Sequence, residues 1–500
     1  MNKLNIKNKD RYAGILMPIF SLPSKYGIGT LGKEAYKFVK FLKASKQTYW
    51  QVLPIGPTSY GDSPYQSFSS FAGNPYFIDL DLLIEDGLLN KKDVRNLKNS
   101  VKIDYGYIYK TRIDILRIAF NNGYKKYKKQ FEVFLNLNKK WLPNYALFIS
   151  LKKHFDMKSW QDWDTDIKNR DPKAIKYYKK LLKDEIVFNE FIQFLFFKQY
   201  TDLKSYANKN GIKIIGDVPI YVALDSCDVW VNTDEFKLNK KTLVPKQIAG
   251  VPPDYFQADG QLWGNPLYDW QNMKKDNYKW WKNRIEGIAK NFDVIRFDHF
   301  RGFEEYYSIK YGSKNAKNGK WLKGPGINFI NQIKNEFSNI EFIVEDLGII
   351  DDKVRKLVEK SNFPGMRVIE FSIDLTKKNC HLPHNYIENC VCYTTTHDNV
   401  PLNGWIKSLN KKYKNYLINY YNLKKDYTYG LIRAGMNSVA YLFICQIQDY
   451  LVLDEKATVN KPGTIGNWTW RLKPGQLNKD LAKKIATMTK AANRGLLEFM

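Results

Sequence analysis

The sequence predicts an α/β fold, a closed (β/α)8 barrel of the TIM type with large, mainly helical insertions. Short β-branched and aromatic runs alternate along the chain with longer amphipathic stretches, and eight such runs occur, the number that closes a barrel. Several runs also end in a polar or charged residue. The 500 residues, 44% of them hydrophobic, would suffice for one barrel with insertions or for two to three smaller domains, and the alternation favours the barrel.

The eight predicted strands cover residues 14–20, 49–54, 213–217, 294–298, 341–345, 367–371, 391–396 and 439–444. Helices are predicted to follow many of them, at residues 31–45, 278–291 and 327–337 among others. In the first of these helices, apolar side chains recur on one face, at Ala35, Phe38, Val39 and Leu42. Strand and helix in alternation are the repeating unit of a parallel barrel.

Two stretches are too long to be single helical connections and are predicted to be insertions at the carboxyl-terminal mouth of the barrel. Residues 60–210 form the first, largely helical in its later half, where residues 187–200 are dense in phenylalanine. Residues 222–278 form the second, rich in Pro, Gly, Trp and Asp. Because no linker or repeat interrupts the chain, we expect residues 1–500 to form one catalytic domain, with no carboxyl-terminal β-domain.

Composition excludes several classes of protein. No apolar run approaches the roughly 20 residues needed to cross a bilayer, and the polar residues 1–14 lack the apolar stretch of a signal peptide, so we expect a cytoplasmic location and no membrane partner. The five cysteines are odd in number and thinly spread, which favours reduced, buried thiols over a disulfide framework.

The net charge of +28 would suit a nucleic-acid partner, but its distribution argues against one. The basic residues are mostly lysines and occur almost everywhere, without a concentrated arm or tail. This pattern is typical of solvated helix faces rather than of a nucleic-acid surface.

Four acidic residues directly follow predicted strands, the position that a barrel directs into its active site. They are Asp217 in IKIIGDVPIYV, Asp298 in FDVIRFDHFRGF, Glu345 in IEFIVEDLG and Asp398 in VCYTTTHDN. One such residue alone is more often a helix cap or turn residue than a catalyst. Four together on separate strand ends favour catalysis.

Glycoside chemistry requires two carboxyl groups, one ionised to attack the anomeric carbon and one protonated to release the departing oxygen. Arg296 lies two residues before Asp298 and shares its face, so it should keep that carboxylate anionic, as a nucleophile requires. Glu345 follows an apolar strand and precedes Asp346, and both features should raise its pKa toward that of a general acid. Asp398 could hold sugar hydroxyls, and His299 and His397 are either sugar ligands or buried, hydrogen-bonded side chains.

Other chemistries lack their motifs. The five histidines show no metal-ligand spacing, so neither a metal nor another cofactor is predicted. The sequence also lacks GxGxxG before a helix, GxxxxGK[ST] and a GxSxG elbow, the motifs of dinucleotide, phosphate-loop and serine-triad chemistry.

The motifs together resemble one family. GDVPIYV, VIRFDHFRGF, EDLG and THDN are similar to the barrel-strand motifs of amylomaltases, the disproportionating enzymes or 4-α-glucanotransferases of glycoside hydrolase family 77. The segments at residues 11–32, 50–80, 249–270 and 462–468 agree with the same family. The resemblance implies retaining transfer of α-1,4-glucan segments between maltooligosaccharides and glucose, with Asp298 as nucleophile, Glu345 as acid/base and Asp398 as transition-state stabiliser.

The resemblance also implies substrate-binding residues. The donor subsite would be lined by Arg296, His397 and Asp217, with Tyr65 as its aromatic floor. Asp62 and Ser63 would lie beside Tyr65. A loop over the cleft would bring four residues to the acceptor, namely Asp254, Tyr255, Phe256 and Trp263.

Some positions depart from the family pattern. Thr395 stands where glycine commonly precedes the THDN motif, and Thr458 and Thr469 stand where arginine is usual. Residues 400–402 read Val-Pro-Leu where small polar residues are usual. Two alternatives stay open, an α-glucan hydrolase of the α-amylase group and, more remotely, a basic nucleic-acid-binding protein. We expect a monomer or a homodimer.

Overall fold

The computed structural model describes residues 10–59, 61–253, 258–373 and 379–495. Twelve strands lie in these ranges: β1 (Tyr12–Leu16), β2 (Tyr49–Gln51), β3 (Lys213–Val218), β4 (Gln247–Val251), β5 (Gln261–Pro266), β6 (Val294–Phe297), β7 (Glu305–Lys310), β8 (Lys320–Lys323), β9 (Glu341–Val344), β10 (Gly365–Val368), β11 (Cys390–Tyr393) and β12 (Leu442–Gln446).

The helices in the same ranges, apart from short 3₁₀ turns, are α1 (Lys33–Ala44), α2 (Leu80–Glu85), α3 (Lys91–Val94), α4 (Tyr105–Gly123), α5 (Lys128–Leu137), α6 (Leu142–His154), α7 (Thr165–Lys168), α8 (Pro172–Leu181), α9 (Lys183–Lys209), α10 (Cys227–Val231), α11 (Trp270–Lys275), α12 (Lys279–Ala289), α13 (Gly326–Glu336), α14 (Asp352–Ser361), α15 (Leu402–Ser408), α16 (Lys411–Tyr421), α17 (Tyr427–Asn437), α18 (Ile447–Tyr450) and α19 (Lys479–Ala491).

Eight strands close into a parallel barrel in the order β1-β12-β11-β10-β9-β6-β3-β2. The first and last strands of the chain complete the closure, with Tyr12 opposite Leu442 and Leu16 opposite Gln446. The predicted barrel is thereby confirmed, and each predicted strand overlaps one barrel strand. Most predicted strands extend beyond the observed end, because the residues at the mouth leave the strands to enter the loops.

Alternating side chains fill the barrel interior. The buried residues inside are Leu16, Tyr49, Ile215, Val294, Ile343, Met366, Val368, Val391, Tyr393, Leu442 and Ile444. Between β1 and β2 the space is so small that a Cβ atom on Gly14 would lie 2.6 Å from the Cβ and carbonyl oxygen of Tyr49. Glycine therefore permits the close approach of the two strands there.

The predicted helices surround the barrel. Helix α1 buries Ala35, Phe38, Val39 and Leu42 as its spacing predicts. Helices α12 and α13 correspond to the predictions at residues 278–291 and 327–337. Beyond β12, the described residues contain two helices and no further strand.

The two long connections carry additional structure. Helices α2–α9 lie between β2 and β3, and the 27-residue α9 leads the chain back into the barrel. Strands β4 and β5, in the second connection, form an antiparallel sheet with β7 and β8 in the order β5-β4-β7-β8. The sequence did not predict this sheet, because β4 and β7 pair across more than 50 residues and because β7 and β8 lie outside the predicted insertion.

The prediction of reduced, buried thiols holds for four of the five cysteines. All five cysteines are free thiols; Cys380 is exposed, and the other four are buried. No helix within the described ranges is both long and apolar enough to cross a membrane.

Candidate active site

An ion-paired cluster lies at the mouth of the barrel where β3 and β6 run side by side. The strand register places Asp217 directly opposite Arg296. The Nη1 atom of Arg296 donates to Asp217 Oδ1 at 2.6 Å and to Asp298 Oδ1 at 3.1 Å. The guanidinium also donates from Nε to the Sδ atom of Met366 at 3.4 Å. One buried cation therefore joins two of the predicted carboxylates.

Asp298 stands at the border between the core and the cleft. Its backbone N–H donates to the carbonyl of Val218 at 3.0 Å, which continues the pairing of β6 with β3 for one residue beyond the strand. The side chain of Asp298 is 28% exposed, whereas those of Asp217 and Arg296 are almost fully buried. The carboxyl group thus meets a cation on one side and open space on the other.

Glu345 is held by backbone groups of two loops. Its Oε2 accepts from the N–H of His299 at 2.7 Å, and its Oε1 accepts from the N–H of Leu347 at 2.8 Å. His299 has a φ of 50° in the left-handed region, an uncommon conformation for a residue with a side chain. In this conformation, the backbone N–H of His299 donates to the carboxyl group of Glu345.

Tyr65 connects the ion-paired cluster to His397. Its hydroxyl lies 2.7 Å from Asp217 Oδ2 and 2.8 Å from His397 Nε2. Because a phenol has one proton and the carboxylate can only accept, the hydroxyl donates to Asp217 and accepts from the Nε2–H of His397. The two rings are stacked with centroids 5.4 Å apart. The predicted floor residue, Tyr65, therefore lies beside the predicted donor-subsite residues.

Asp398 lies near the same nitrogen of His397 as Tyr65, in a more exposed position. Its Oδ1 accepts from Asn460 Nδ2 at 2.6 Å and lies 3.4 Å from His397 Nε2. Trp468 packs near the rings of Tyr65 and His397, with centroids 5.8 and 6.2 Å away. The sequence analysis did not name Asn460 or Trp468 as site residues, although the segment 462–468 carried part of the family resemblance.

Glu345, Asp298 and the two imidazoles of this site have shifted pKa values. Burial raises the pKa of Glu345 to about 7, against the opposing effects of Arg296 and of its two backbone donors. Burial also raises the pKa of Asp298; the charge of Arg296 lowers it, and the neighbouring carboxylates raise it further. Burial lowers the pKa of His299 to about 3 and lowers that of His397, so both imidazoles are neutral at pH 7.

The predicted acceptor side is described in part. Trp263, on β5, meets the ring of His299 edge to face at 4.8 Å, and this contact brings the small antiparallel sheet to the cleft. The Nε2 atom of His299 is buried and has no hydrogen-bond partner among the described residues. The remaining predicted residues of the cover loop, Asp254, Tyr255 and Phe256, lie outside the described residues.

Asp62 and Ser63 shape the loop that carries Tyr65. The Oγ atom of Ser63 accepts from the N–H of Tyr65 at 3.2 Å. Asp62 has a φ of 59°, which lies in the left-handed region. The contacts of Ser63 therefore lie within the loop itself.

Asp346, which follows Glu345, binds the neighbouring strand. Its Oδ1 accepts from the N–H of Met366 at 2.6 Å, and its Oδ2 accepts from Arg367 at 3.1 Å. As predicted, the charge of Asp346 contributes to the raised pKa of Glu345, and the residue that caps the following helix is Asp351.

Thr395, the residue found in place of glycine, is fully buried and hydrogen-bonded. Its hydroxyl donates to Asp449 Oδ2 at 2.7 Å and accepts from Gln446 Nε2 at 2.6 Å. The substitution is therefore accommodated by two polar partners at the end of β12. Thr458 and Thr469 donate to carbonyl groups of their own exposed loops.

Within the described ranges, no group of three or more His, Cys, Asp and Glu side chains could hold a metal ion. The arrangement instead supplies a buried cation, two carboxyl groups in different environments and neutral imidazoles. A family model described as 4-alpha-glucanotransferase matches residues 17–478, which include all of these groups.

The chain belongs to the 4-alpha-glucanotransferase family. A 4-alpha-glucanotransferase of Clostridium butyricum is 48% identical over 485 residues, covering 96% of this chain and 100% of that protein. One from Streptococcus pneumoniae serotype 4 is 43% identical over 492 residues, covering 96% and 97%. Among solved structures, the amylomaltase from Streptococcus agalactiae in complex with acarbose matches with a TM-score of 0.94 and 39% identity, covering 97% of this chain and 100% of that one.

Membership of the 4-alpha-glucanotransferase family confirms the predicted class of enzyme. The activity is that of a 4-alpha-glucanotransferase, and the substrates are glucans. The fold and the family thus agree with the expectation drawn from the motifs.

Proposed function

We propose that this chain transfers α-1,4-glucan segments with retention, through a covalent glycosyl-enzyme on Asp298. The observation that carries the proposal is the unequal environment of two carboxyl groups. Asp298 contacts a cation and faces the cleft, whereas the hydrogen bonds to the Glu345 carboxyl group within the described residues come from neutral backbone N–H groups. A retaining mechanism requires such a pair, one carboxylate and one carboxylic acid.

The location of the proton follows from coupling between the two groups. Two carboxyl groups that share a site resist simultaneous ionisation, so the pair retains one proton near neutral pH. The ion pair with Arg296 favours charge on Asp298. We therefore assign the proton to Glu345 in the resting enzyme.

Each chemical step then balances. In the first step, Asp298 attacks the anomeric carbon, the glycosidic bond breaks, and Glu345 gives its proton to the departing oxygen. In the second step, the 4-hydroxyl of the acceptor attacks the same carbon, Glu345 takes the hydroxyl proton, and Asp298 is released. The anomeric configuration inverts once in each step, so the α-linkage is retained.

The surrounding groups would bind the sugar undergoing transfer. Asp398 has its exposed carboxylate beside His397 and suits contact with ring hydroxyls and with the developing positive charge. Arg296 and Asp217 would support this subsite from beneath, and Tyr65 would form its floor, because the three side chains are joined by hydrogen bonds.

The acceptor side would favour a sugar over water. A glycosyl-enzyme reacts with any hydroxyl that reaches it, so transfer requires a shielded site. Trp263 and His299 supply a platform and an unpaired nitrogen there. We propose that Asp254, Tyr255 and Phe256 complete it, with Asp62 and Ser63 holding the loop of Tyr65. Maltooligosaccharides would be the donors, and glucose or another glucan the acceptor; the relative from S. agalactiae is a complex with acarbose.

Product analysis with maltotriose tests the proposal. We expect glucose together with a ladder of longer maltodextrins and a constant number of reducing ends, because every broken bond is replaced by a new one. A gain of reducing ends equal to the bonds broken would contradict transfer and select the α-amylase-type hydrolase.

Three expectations stay predictions: the monomeric or homodimeric state, the cytoplasmic location and the lack of a nucleic-acid partner. Salt-dependent RNA retention that is unaffected by maltose would contradict the last of these.

A further inference from the structure

The two loops that hold Glu345 come from different strands. The loop after β6, residues 298–304, provides the N–H of His299 to the carboxyl group, and its Phe300 N–H donates to the backbone carbonyl of Glu345 at 3.0 Å. The loop after β9, residues 345–351, provides the N–H of Leu347. The position of the carboxyl group therefore depends on how these two loops are fixed to each other.

Arg301 connects the loops. It lies on the first loop and is only 3% exposed. Its Nη1 donates to the carbonyl oxygen of Ile349 on the second loop, and its Nη2 lies 3.6 Å from Asp351 Oδ2. The Oδ1 atom of Asp351 in turn accepts from the N–H groups of Lys353 and Val354 and caps α14. One guanidinium thus anchors the whole connection between β9 and α14.

The small antiparallel sheet supports this guanidinium. The Cζ atom of Arg301 lies 3.8 Å from the ring centroid of Trp321 on β8. The stacking geometry is that of a cation–π contact and leaves the edge of the guanidinium free to donate in its plane. Trp321 itself packs on Tyr307 of β7. The orientation of Arg301 is therefore set by a sheet that lies outside the barrel.

We propose that Arg301 is a positioning residue for the acid/base carboxyl group, because it ties together the two loops whose backbone N–H groups hold Glu345. This inference rests on the acid/base role proposed above for Glu345. Within the described residues, the side chain of Arg301 contacts Ile349, Asp351 and Trp321 and none of the carboxyl groups of the site, so it acts on Glu345 through these loops.

The charged groups around Glu345 and Arg301 determine in which direction the pKa of Glu345 changes when Arg301 is replaced. Glu345 faces Arg296, Asp298 and Asp346, and these stay in place when Arg301 is replaced. Arg301 faces Asp351 and Glu305, which accompany it on the far side of the loops. His299 is a further titratable neighbour: burial, and to a smaller extent the charge of Arg301, lower its pKa to about 3, so it is neutral at pH 7.

Loss of Arg301 should raise the pKa of Glu345. Both backbone hydrogen bonds lower this pKa, since they stabilise the charged carboxylate. When the loops separate, these bonds lengthen, the charged form loses stabilisation, and the proton is held more tightly. Glu345 must be protonated in the first step, so the limb of the kcat/KM profile that depends on it is the loss of activity at high pH. This limb should then move to higher pH.

The experiment compares Arg301→Leu and Arg301→Lys with a control at Arg355, whose exposed pair with Asp352 lies on α14 nearby. Disproportionation of maltotriose is measured from pH 4 to 10. We expect Arg301→Leu to move the Glu345-dependent limb upward by about one pH unit and to lower kcat/KM roughly tenfold or more. Arg301→Lys keeps the charge but lacks the planar guanidinium with its several N–H donors. Its pKa shift at Glu345 should therefore be smaller and in the same direction. Arg355→Leu should leave both limbs unchanged.

Several outcomes separate the possibilities. A uniform loss of kcat/KM at every pH in the Arg301 variants, with unshifted limbs, would show a purely structural role and overturn the inference. If Arg301→Leu fails to fold, Arg301→Lys and Trp321→Leu are decisive, because each weakens the contact while a cation stays at position 301. Full activity of Glu345→Gln would instead contradict the proposed function itself.

Discussion

At the scale of single residues, the environments of Asp298 and Glu345 assign different chemistry to similar groups. Asp298 meets the guanidinium of Arg296 and the cleft, and Glu345 meets two backbone N–H groups. A carboxylate paired with a cation is suited to attack, and a buried carboxylic acid is suited to proton transfer. This difference leads to a test that isolates each role.

Glu345→Gln should separate the two chemical steps. Without its proton donor, the variant should lose most activity on maltotriose, on the order of 10²- to 10⁴-fold. A donor that needs no protonation, such as α-glucosyl fluoride, should still glycosylate Asp298. Mass spectrometry of peptides after quenching should then find a glucosyl group on the peptide that contains Asp298.

Asp298→Asn is the matched control for this experiment. The amide is nearly the same size as the carboxyl group but a poor nucleophile, so transfer should be abolished while the protein stays folded. Near-normal transfer by Asp298→Asn, or an unlabelled Asp298 peptide in Glu345→Gln, would contradict the assignment.

At the scale of elements, the segment after β11 is held by a buried carboxylate. Asp449, next to β12, accepts from the hydroxyls of Thr394 and Thr395 and from the N–H of Leu402. The residues between these points include His397 and Asp398. Asp449, beside the end of β12, therefore holds the segment after β11, which carries the predicted site residues His397 and Asp398.

Replacement of Thr395 tests this connection. Thr395→Val keeps the shape but removes both hydrogen bonds, and we expect it to cost about 1–3 kcal/mol of unfolding free energy and to lower kcat/KM. Thr395→Ser keeps the hydroxyl and loses one methyl group. Denaturant unfolding measures the loss of stability, and maltotriose kinetics should rank Thr395→Val below Thr395→Ser in activity. Equal or reversed activities would contradict a positioning role for the hydroxyl.

At the scale of the whole molecule, barrel closure buries acidic groups as well as apolar ones. Glu370 follows β10, and its Oε2 atom has no hydrogen-bond partner among the described residues. Burial, with a smaller contribution from the charge of Asp449, raises the pKa of Glu370 to about 8. Ionisation of Glu370 would place a second negative charge near the carboxylate that holds the β11 segment.

Glu370 should make the stability of the protein depend on pH. The pKa of Glu370 is higher in the folded state than its unfolded value of 4.5. Its contribution to the free energy of unfolding is therefore fully present below pH 4.5 and is lost as the pH rises to about 8. Glu370→Gln cannot ionise. We expect its Tm to exceed that of the parent protein by a few degrees at pH 9 and to match it more closely at pH 5.

Thermal unfolding of both proteins across this range checks the prediction. The variant and the parent share every other titrating group, so the difference between their Tm values isolates Glu370. A constant difference between pH 5 and pH 9 would contradict the raised pKa.

Local patterns predicted most of the barrel. Alternating runs marked all eight strands, and the position of Asp217, Asp298, Glu345 and Asp398 after strands indicated the mouth. The antiparallel sheet was missed, because its central pair, β4 and β7, joins residues more than 50 positions apart in sequence. Asn460 was also missed, since no local pattern distinguishes an asparagine that binds an aspartate 62 residues away.

The sequence by itself determined the eight-stranded barrel, the family and the set of acidic residues at the strand ends, because periodicity and motif spacing are properties of neighbouring residues. Only the tertiary structure decided the partners of those residues: that Tyr65 bridges Asp217 and His397, and that Arg301 connects the loops around Glu345. Such contacts join residues separated by tens to hundreds of positions. They exist because strand register and barrel closure bring the loops together, and no local pattern encodes that distance.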